Sequence, residues 1–128
     1  MRARSARRYP GLTLRVLGEG PPAMGPGKAE LVARIAETGS ISAAARAMGM
    51  SYRRAWQLVE ALNAAYKEPV VITAIGGSRG GGARVTAFGR RLTARFHAME
   101  DKASAAIAGD LRRFTNLLRA KAKRRTRR

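Results

Sequence analysis

The sequence contains no cysteine, a single histidine, and only 5% aromatic residues. The absence of cysteine excludes disulfide scaffolds, thiolate zinc sites, iron–sulfur clusters and cysteine nucleophiles. The lone histidine, His97, and eight scattered Asp and Glu residues leave little material for a metal site or for acid–base catalysis. The few aromatic residues also provide too little surface for stacking single-stranded bases. We therefore expect no metal, no cofactor and no enzymatic activity.

Long hydrophobic runs are also missing. No uncharged apolar segment approaches the roughly 18–20 residues that a membrane-spanning helix needs. The N-terminus is basic, but no hydrophobic stretch follows it, so it lacks the pattern of a secretory signal. These two observations predict a cytoplasmic protein with no membrane-spanning helix, and we expect no membrane partner.

Positive charge is what the sequence has in excess. Its 26 Lys and Arg residues stand against 8 Asp and Glu, for a formal net charge of +18. Basic residues are concentrated in an N-terminal arm over 1–11 and a C-terminal tail over 119–128. A polyanion is the natural partner, and nucleic acid is the commonest one. Tails that only aid solubility are one alternative, and an anionic membrane is another, although the tails carry no Trp, Phe or Leu to insert.

The first half of the chain predicts a short strand, a loop and three short helices. Alternating apolar residues indicate the strand, and clustered proline and glycine indicate the loop. Helical spacing of apolar residues, serine caps and terminal glycines indicate the helices. In order, these are a strand over 12–17, a loop over 18–27, a helix from Lys28 to Gly39, a helix capped by Ser40 or Ser42 that ends at Gly49, and a helix capped by Ser51.

A β-hairpin with a long glycine-rich tip follows the third helix. Residues 70–75 and 83–87 have the composition of strands, and residues 76–82 join them. Glycine lets a backbone approach a phosphate ribbon closely, and arginine adds charge, so we interpret the hairpin as a DNA-contacting wing. A flexible loop that touches nothing is the alternative. The candidate wing contacts are Gly77, Arg79, Gly80, Gly81 and Arg84.

The last predicted helix is unusually long for so small a domain. Thr86 can cap it, and apolar residues recur at steps of three and four up to Leu118. This spacing predicts a helix of about 30 residues, or roughly 45 Å, although Gly109 interrupts the apolar stripe. The stripe needs a second surface to cover it, and we expect the same helix from a second copy.

Three helices followed by a hairpin is the element order of a winged helix-turn-helix. The small residue Ala45 suits the point where two helices cross, and Gly49 suits a turn that requires a positive φ. The predicted fold is mainly α with a small β-hairpin. It comprises a winged helix-turn-helix domain over 12–89 and a long C-terminal dimerisation helix over 90–118.

The start of the third helix carries the predicted base contacts, because that end of a helix-turn-helix enters the major groove. The guanidinium forks of Arg53 and Arg54 match the acceptors of guanine, although one of the two can grip phosphate instead. Gln57 suits adenine, and Ser42 is placed to donate to a phosphate. A structural helix pair with a solvated basic face is the alternative. The candidate contacts are Ser42, Ser51, Tyr52, Arg53, Arg54 and Gln57.

Two segments of the sequence resemble the DNA-binding domain of the molybdate-responsive ModE regulators. They are Gly-Ser-Ile-Ser-Ala-Ala-Ala-Arg-Ala-Met-Gly-Met-Ser-Tyr-Arg-Arg-Ala-Trp and Gly-Gly-Ser-Arg-Gly-Gly-Gly-Ala. The first segment is also similar to the helix-turn-helix of LysR-type regulators. The resemblance implies a winged-helix dimer that controls molybdenum-related operons. By position, residues 51–54 match the start of its recognition helix and residues 76–82 match its wing. The family's oxyanion-binding region has no counterpart before the final Arg-Arg-Thr-Arg-Arg, so molybdate sensing is not carried over.

Together these observations predict a cytoplasmic, nucleoid-associated homodimer that binds double-stranded DNA and regulates transcription, without an oxyanion-binding domain of its own. Two alternatives remain open. One is an architectural nucleoid protein with little sequence preference, which the charge favours. The other is a partner that pairs with a full-length ModE-type regulator through its long helix. No small-molecule ligand is assigned.

Overall fold

The computed structural model describes residues 11–74 and 82–120 of the chain. Over these residues, helices alternate with two antiparallel two-stranded ribbons, β1–β2 and β3–β4. In chain order, the elements are β1 Val16–Leu17, β2 Pro22–Met24, α1 Pro26–Thr38, α2 Ile41–Met48, α3 Tyr52–Ala65, β3 Val71–Ala74, β4 Gly82–Val85, α4 Ala87–Ala106 and α5 Ala108–Thr115. The mainly α fold with a winged helix-turn-helix is confirmed.

Glycines end the first two helices where the sequence predicts. Gly39 and Gly49 adopt left-handed backbone conformations, with φ of 72° and 70°. The N–H of Gly39 donates to the carbonyl of Ile35, and that of Gly49 donates to Ala45 and Arg46, so each helix keeps a bonded last turn. A residue with a Cβ is strained in this conformation, which explains why glycine occupies both turns.

Serine side chains begin the second and third helices. The Oγ of Ser40 accepts a hydrogen bond from the N–H of Ala43 at 3.0 Å, which makes Ser40, rather than Ser42, the cap of α2. The Oγ of Ser51 accepts from the N–H of Arg54 at 3.0 Å. Each cap satisfies an N–H that the first helical turn leaves without a partner.

The core lies where α1, α2 and α3 meet, and β3, β4 and α4 pack onto it. Small residues allow the close helix crossings, since Ala44, Ala45 and Ala55 are all buried. Trp56, Leu58, Tyr66, Phe88 and Leu92 pack around its edge while remaining partly exposed. The buried apolar residues are Met24, Ala29, Leu31, Val32, Ala33, Ile35, Ile41, Ala44, Ala45, Ala55, Val59, Leu62, Val70, Val71, Ala83, Val85 and Phe96.

The wing hairpin is attached to the helix-turn-helix at its base. β3 and β4 pair from Val71 opposite Val85 to Ala74 opposite Gly82. The N–H of Ala83 donates to the carbonyl of Gly39 at 2.9 Å, which fixes β4 to the turn between α1 and α2. The predicted hairpin is confirmed over these strands. The tip residues Gly77, Arg79, Gly80 and Gly81 lie outside the described residues.

The predicted strand and loop before α1 are wrong in part. β1 covers only Val16–Leu17, and the predicted loop contains β2, whose partner is β1. Proline is tolerated on the edge of a two-stranded ribbon, so Pro22 does not prevent this pairing. α1 also begins two residues earlier than Lys28, at Pro26, because the fixed φ of proline suits the first helical position.

The C-terminal helix is not continuous, contrary to the sequence prediction. α4 ends at Ala106, and Ile107 leaves the helical region with φ −113° and ψ 21°. The N–H of Leu111 still donates to the carbonyl of Ile107 at 2.7 Å, so α5 follows after a kink. Gly109 lies in the first turn of α5 and weakens the helix there, because glycine has a low helical propensity. No helix within residues 11–74 and 82–120 is long and apolar enough to cross a membrane.

Candidate nucleic-acid interface

The first turn of α3 forms an exposed polar end on the helix-turn-helix. Its cap, Ser51, and the three residues that follow are exposed, as is Gln57 one turn later. Ala55, Val59 and Leu62 bury the opposite face of α3 in the core. The structure therefore brings Ser51, Tyr52, Arg53, Arg54 and Gln57 together on one exposed end of a helix, as the sequence predicts.

An aromatic contact orients the first of these side chains. The rings of Tyr52 and Trp56 meet edge to face, with centroids 6.3 Å apart and planes at 82°. Trp56 is itself half-buried against the core, whereas Tyr52 is 53% exposed. Sequence reasoning assigned no partner to Tyr52. The spacing of four residues along one helix was the available signal, since such residues are neighbours on its surface.

Ser42 lies in the first turn of α2 and is exposed. Its Oγ accepts a hydrogen bond from Nη1 of Arg46 at 3.3 Å. Sequence reasoning missed Arg46, which adds an exposed cation beside the hydroxyl. A hydroxyl and a guanidinium at this position suit a phosphate oxygen, since both can donate hydrogen bonds.

Arg84 projects from the exposed face of the wing base. It lies on β4 directly opposite Ile72 of β3, and both side chains are exposed. Its neighbours Ala83 and Val85 are buried on the other face of the ribbon. The alternation fixes the outward direction of Arg84, because successive side chains in a strand point to opposite faces.

Two further cations, which sequence reasoning missed, lie near α3. Lys28, in the first turn of α1, donates from Nζ to the carbonyl of Pro22 at 2.7 Å. Burial lowers the pKa of the Lys28 ammonium, and the neighbouring charges of Arg15 and Arg54 lower it further. The charges of Arg15 and Arg54 are therefore each close enough to act on Lys28. No sequence signal marks this cluster, because the three residues are far apart in the chain.

The described residues offer no candidate metal site. Over residues 11–74 and 82–120, no three His, Cys, Asp or Glu side chains come together in an arrangement that could hold an ion. His97 contacts Glu100 through Nδ1 and Oε1 at 3.2 Å, on the same helix.

The region that contains the helix-turn-helix is similar to known proteins. A family model described as the bacterial regulatory helix-turn-helix protein of the lysR family matches residues 28–90. The molybdenum-pterin-binding protein MopB of Rhodobacter capsulatus is 49% identical over 77 residues, which are 60% of this chain and 28% of that protein. The DNA-binding transcriptional dual regulator ModE of Escherichia coli K12 is 40% identical over 67 residues, which are 52% of this chain and 26% of that protein.

Among solved structures, ArgP from Mycobacterium tuberculosis matches with a TM-score of 0.46 and 26% sequence identity, over 67% of this chain and 31% of that chain. The chain matches only 28% of the length of MopB and 26% of the length of ModE. Residues 28–90 thus match the model of the lysR family of bacterial regulatory helix-turn-helix proteins, and the chain is similar to MopB and ModE over 77 and 67 residues.

Proposed function

We propose that this chain is a dimeric, sequence-specific duplex-DNA-binding protein that regulates transcription of molybdenum-related genes at the nucleoid. One observation carries the proposal: the capped start of α3 presents exposed Tyr52, Arg53, Arg54 and Gln57 outward, while its other face is buried. The major groove of B-DNA admits an α-helix, and the N-terminal residues of a recognition helix reach its base edges.

Arg53 and Gln57 are the main base-reading pair in this proposal. They are four residues apart, so they share one face of α3 and contact neighbouring base pairs together. The Arg53 guanidinium donates to O6 and N7 of guanine, and the Gln57 amide pairs with N6 and N7 of adenine. Tyr52, oriented by Trp56, lies at the same end and adds an apolar surface with a hydroxyl.

Phosphate contacts set the orientation of the domain on the duplex. Ser42 and Arg46 on α2 contact the phosphate backbone of the DNA, and Arg84 contacts it from the wing. The net charge of +18 strengthens all of these contacts. Binding is therefore steeply dependent on salt, because each neutralised phosphate releases counterions.

Dimerisation uses exposed apolar residues of α4, of α5 and of the segment that follows α5. Met99, Phe114 and Leu118 are 43%, 63% and 62% exposed, although all three are apolar. Burying these residues against a second copy removes apolar surface from water. A two-fold dimer then binds two half-sites of a pseudo-palindrome.

The link to molybdenum rests on similarity to ModE and to the molybdenum-pterin-binding protein MopB. The helix-turn-helix over residues 28–90 supports DNA binding, and we propose that these 128 residues bind DNA without added molybdate. Addition of molybdate to a binding assay tests this directly. A requirement for the oxyanion would contradict it.

Enrichment from a random duplex library tests the proposed function. The purified chain is expected to enrich a pseudo-palindrome whose half-sites are one or more helical turns apart, about 10–10.5 bp per turn. We call this sequence the selected duplex. Binding without any enrichment would contradict sequence-specific regulation. It would favour the architectural alternative, which the charge of +18 also supports.

A further inference from the structure

Arg15 and Lys28 lie near each other at the start of α1, and the charge of Arg54, in the first turn of α3, acts on Lys28. The side chain of Arg15, just before β1, passes over Gly25, so that a Cβ on Gly25 would lie 3.4 Å from Cγ of Arg15. Gly25 is the N-cap residue of α1, which begins at Pro26, and Lys28 lies in the first turn of that helix. The Lys28 ammonium reaches back to the carbonyl of Pro22 on β2 at 2.7 Å.

Arg54 completes the cluster from the first turn of α3. Successive residues of a helix are about 100° apart, so Arg54 lies about 100° around the α3 axis from Arg53 and about 60° from Gln57. Burial lowers the pKa of the Lys28 ammonium most, and the charges of Arg15 and then Arg54 lower it further. Of the two arginines in the recognition turn, Arg54 is the one whose charge acts on Lys28, and we group it with Lys28. Arg53 belongs with the base-reading face.

Arg15, Lys28 and Arg54 take part in none of the ion pairs seen between described residues. The ion pairs in that part of the chain lie elsewhere and involve Arg34, His97 and Arg113. The first turns of α1 and α3 carry no acidic residue either. Three like charges held together cost free energy in the unbound chain, and an anion placed among them removes that cost.

We propose that Arg15, Lys28 and Arg54 together bind the phosphate backbone of duplex DNA, which extends the interface from the recognition helix onto the β1–β2 ribbon. The inference rests on the proposed function. The guanidinium forks of Arg15 and Arg54 donate to phosphate oxygens, and the Lys28 ammonium adds a compact charge between them. The cluster contacts the phosphate backbone and does not read the base sequence, whereas Arg53 and Gln57 contact bases.

Duplex binding at several salt concentrations tests this assignment with the double variant R15Q/K28Q. Glutamine removes each charge but keeps a polar side chain of similar length. The variant is expected to bind the selected and scrambled duplexes about tenfold more weakly at 0.1 M salt, by the same factor for both. Its slope of log affinity against log salt is expected to be shallower by about 2.

The matched control is K67Q/R112Q, which also removes one lysine and one arginine. Lys67 and Arg112 are exposed and lie outside the cluster. The inference would be overturned if R15Q/K28Q had the same duplex affinity and the same salt slope as the control. It would also be overturned if R15Q/K28Q lost affinity for the selected duplex alone. A wild-type chain that binds neither duplex would overturn the proposed function itself, and this inference with it.

A footprint of lysine acetylation on the wild-type chain gives an independent answer if the double variant fails to fold. Bound duplex is expected to slow acetylation of Lys28 several-fold and to leave Lys67 unchanged. Equal rates at Lys28 with and without duplex would overturn the inference. The R54Q variant completes the set. It is expected to weaken binding to both duplexes equally. A loss of affinity for the selected duplex alone would indicate that Arg54 reads bases instead.

Discussion

Asn63 and Val71 are joined by two hydrogen bonds between a helix side chain and a strand backbone. Nδ2 of Asn63 donates to the carbonyl of Val71 at 2.9 Å, and the N–H of Val71 donates back to Oδ1 at 3.1 Å. The N–H of Val70 donates to the same Oδ1 at 2.8 Å. The amide of Asn63 thus acts as a strand partner for the start of β3, and it ties the wing to the recognition helix.

Replacing Asn63 with alanine is expected to lower the free energy of unfolding by about 2–4 kcal/mol, because two buried N–H groups lose their acceptor. Urea unfolding followed by circular dichroism measures this. Asn116→Ala, at an exposed asparagine after α5, is the matched control and is expected to change stability by less than about 0.5 kcal/mol. Equal effects of the two substitutions would contradict the role given to Asn63.

Two helical glycines are expected to respond to alanine with opposite signs. A Cβ on Gly89 would lie 2.5 Å from the carbonyl oxygen of Val70 and 2.9 Å from Cγ1 of Val85. Gly89→Ala is therefore expected to cost at least about 2 kcal/mol, despite the better helical propensity of alanine.

Gly109 has more room, since the nearest atom to its Cβ position is Nη1 of Arg113 at 3.7 Å. Gly109→Ala is expected to stabilise the chain by roughly 1 kcal/mol. Thermal unfolding of both variants provides the comparison. A destabilised Gly109→Ala variant would show that the kink after α4 needs glycine itself.

Tyr66 links α3 to the β1–β2 ribbon and gives the stability a dependence on pH. Its hydroxyl donates to the carbonyl of Ala23 at 2.7 Å, and burial raises the pKa of the Tyr66 phenol above its ordinary value of 10.0. A raised folded-state pKa means that this contribution is complete below pH 10 and is lost as the pH rises through the folded value.

Tyr66→Phe is expected to cost about 1 kcal/mol at pH 7, because it removes the hydrogen bond. The gap between the variant and the wild type is expected to narrow above pH 10. Urea unfolding at pH 7, 9 and 11 measures both effects. A gap that stays constant over this range would contradict the partly buried, hydrogen-bonded position of the phenol.

The proposed dimer predicts a change of mass when its apolar face is charged. Phe114→Asp combined with Leu118→Asp is expected to convert the chain from a dimer to a 13.8 kDa monomer in sedimentation equilibrium. Leu17→Asp introduces a charge at a 70% exposed leucine on β1 and is expected to leave the dimer intact. A monomeric wild-type chain, or a dimer that survives both charges, would contradict the assignment of α4 and α5.

Local signals in the sequence predicted the helix-turn-helix well. Ser51, Gly39 and Gly49 act within one turn of their own position, so their spacing alone indicates where helices begin and end. The same logic predicted the cap at Thr86, whose Oγ1 accepts from the N–H of Gly89 at 2.8 Å.

Features that depend on tertiary contacts escaped the sequence reasoning. Pairing of β1 with β2 is hidden by proline and glycine, which indicate a loop when read alone. The grouping of Arg15 and Lys28 with Arg54 arises only after α1 and the ribbon pack beside α3. The kink at Ile107 involves no proline, and the apolar spacing runs through it unchanged.

The most direct test of the account compares Arg53→Ala with the wild type for affinity on the selected duplex and on a scrambled one at fixed salt. Arg53 reads bases in this account, so the variant is expected to lower the ratio of the two affinities at least about tenfold, chiefly through weaker binding to the selected duplex. A ratio that stays unchanged, with both affinities reduced equally, would contradict base reading by the exposed end of α3.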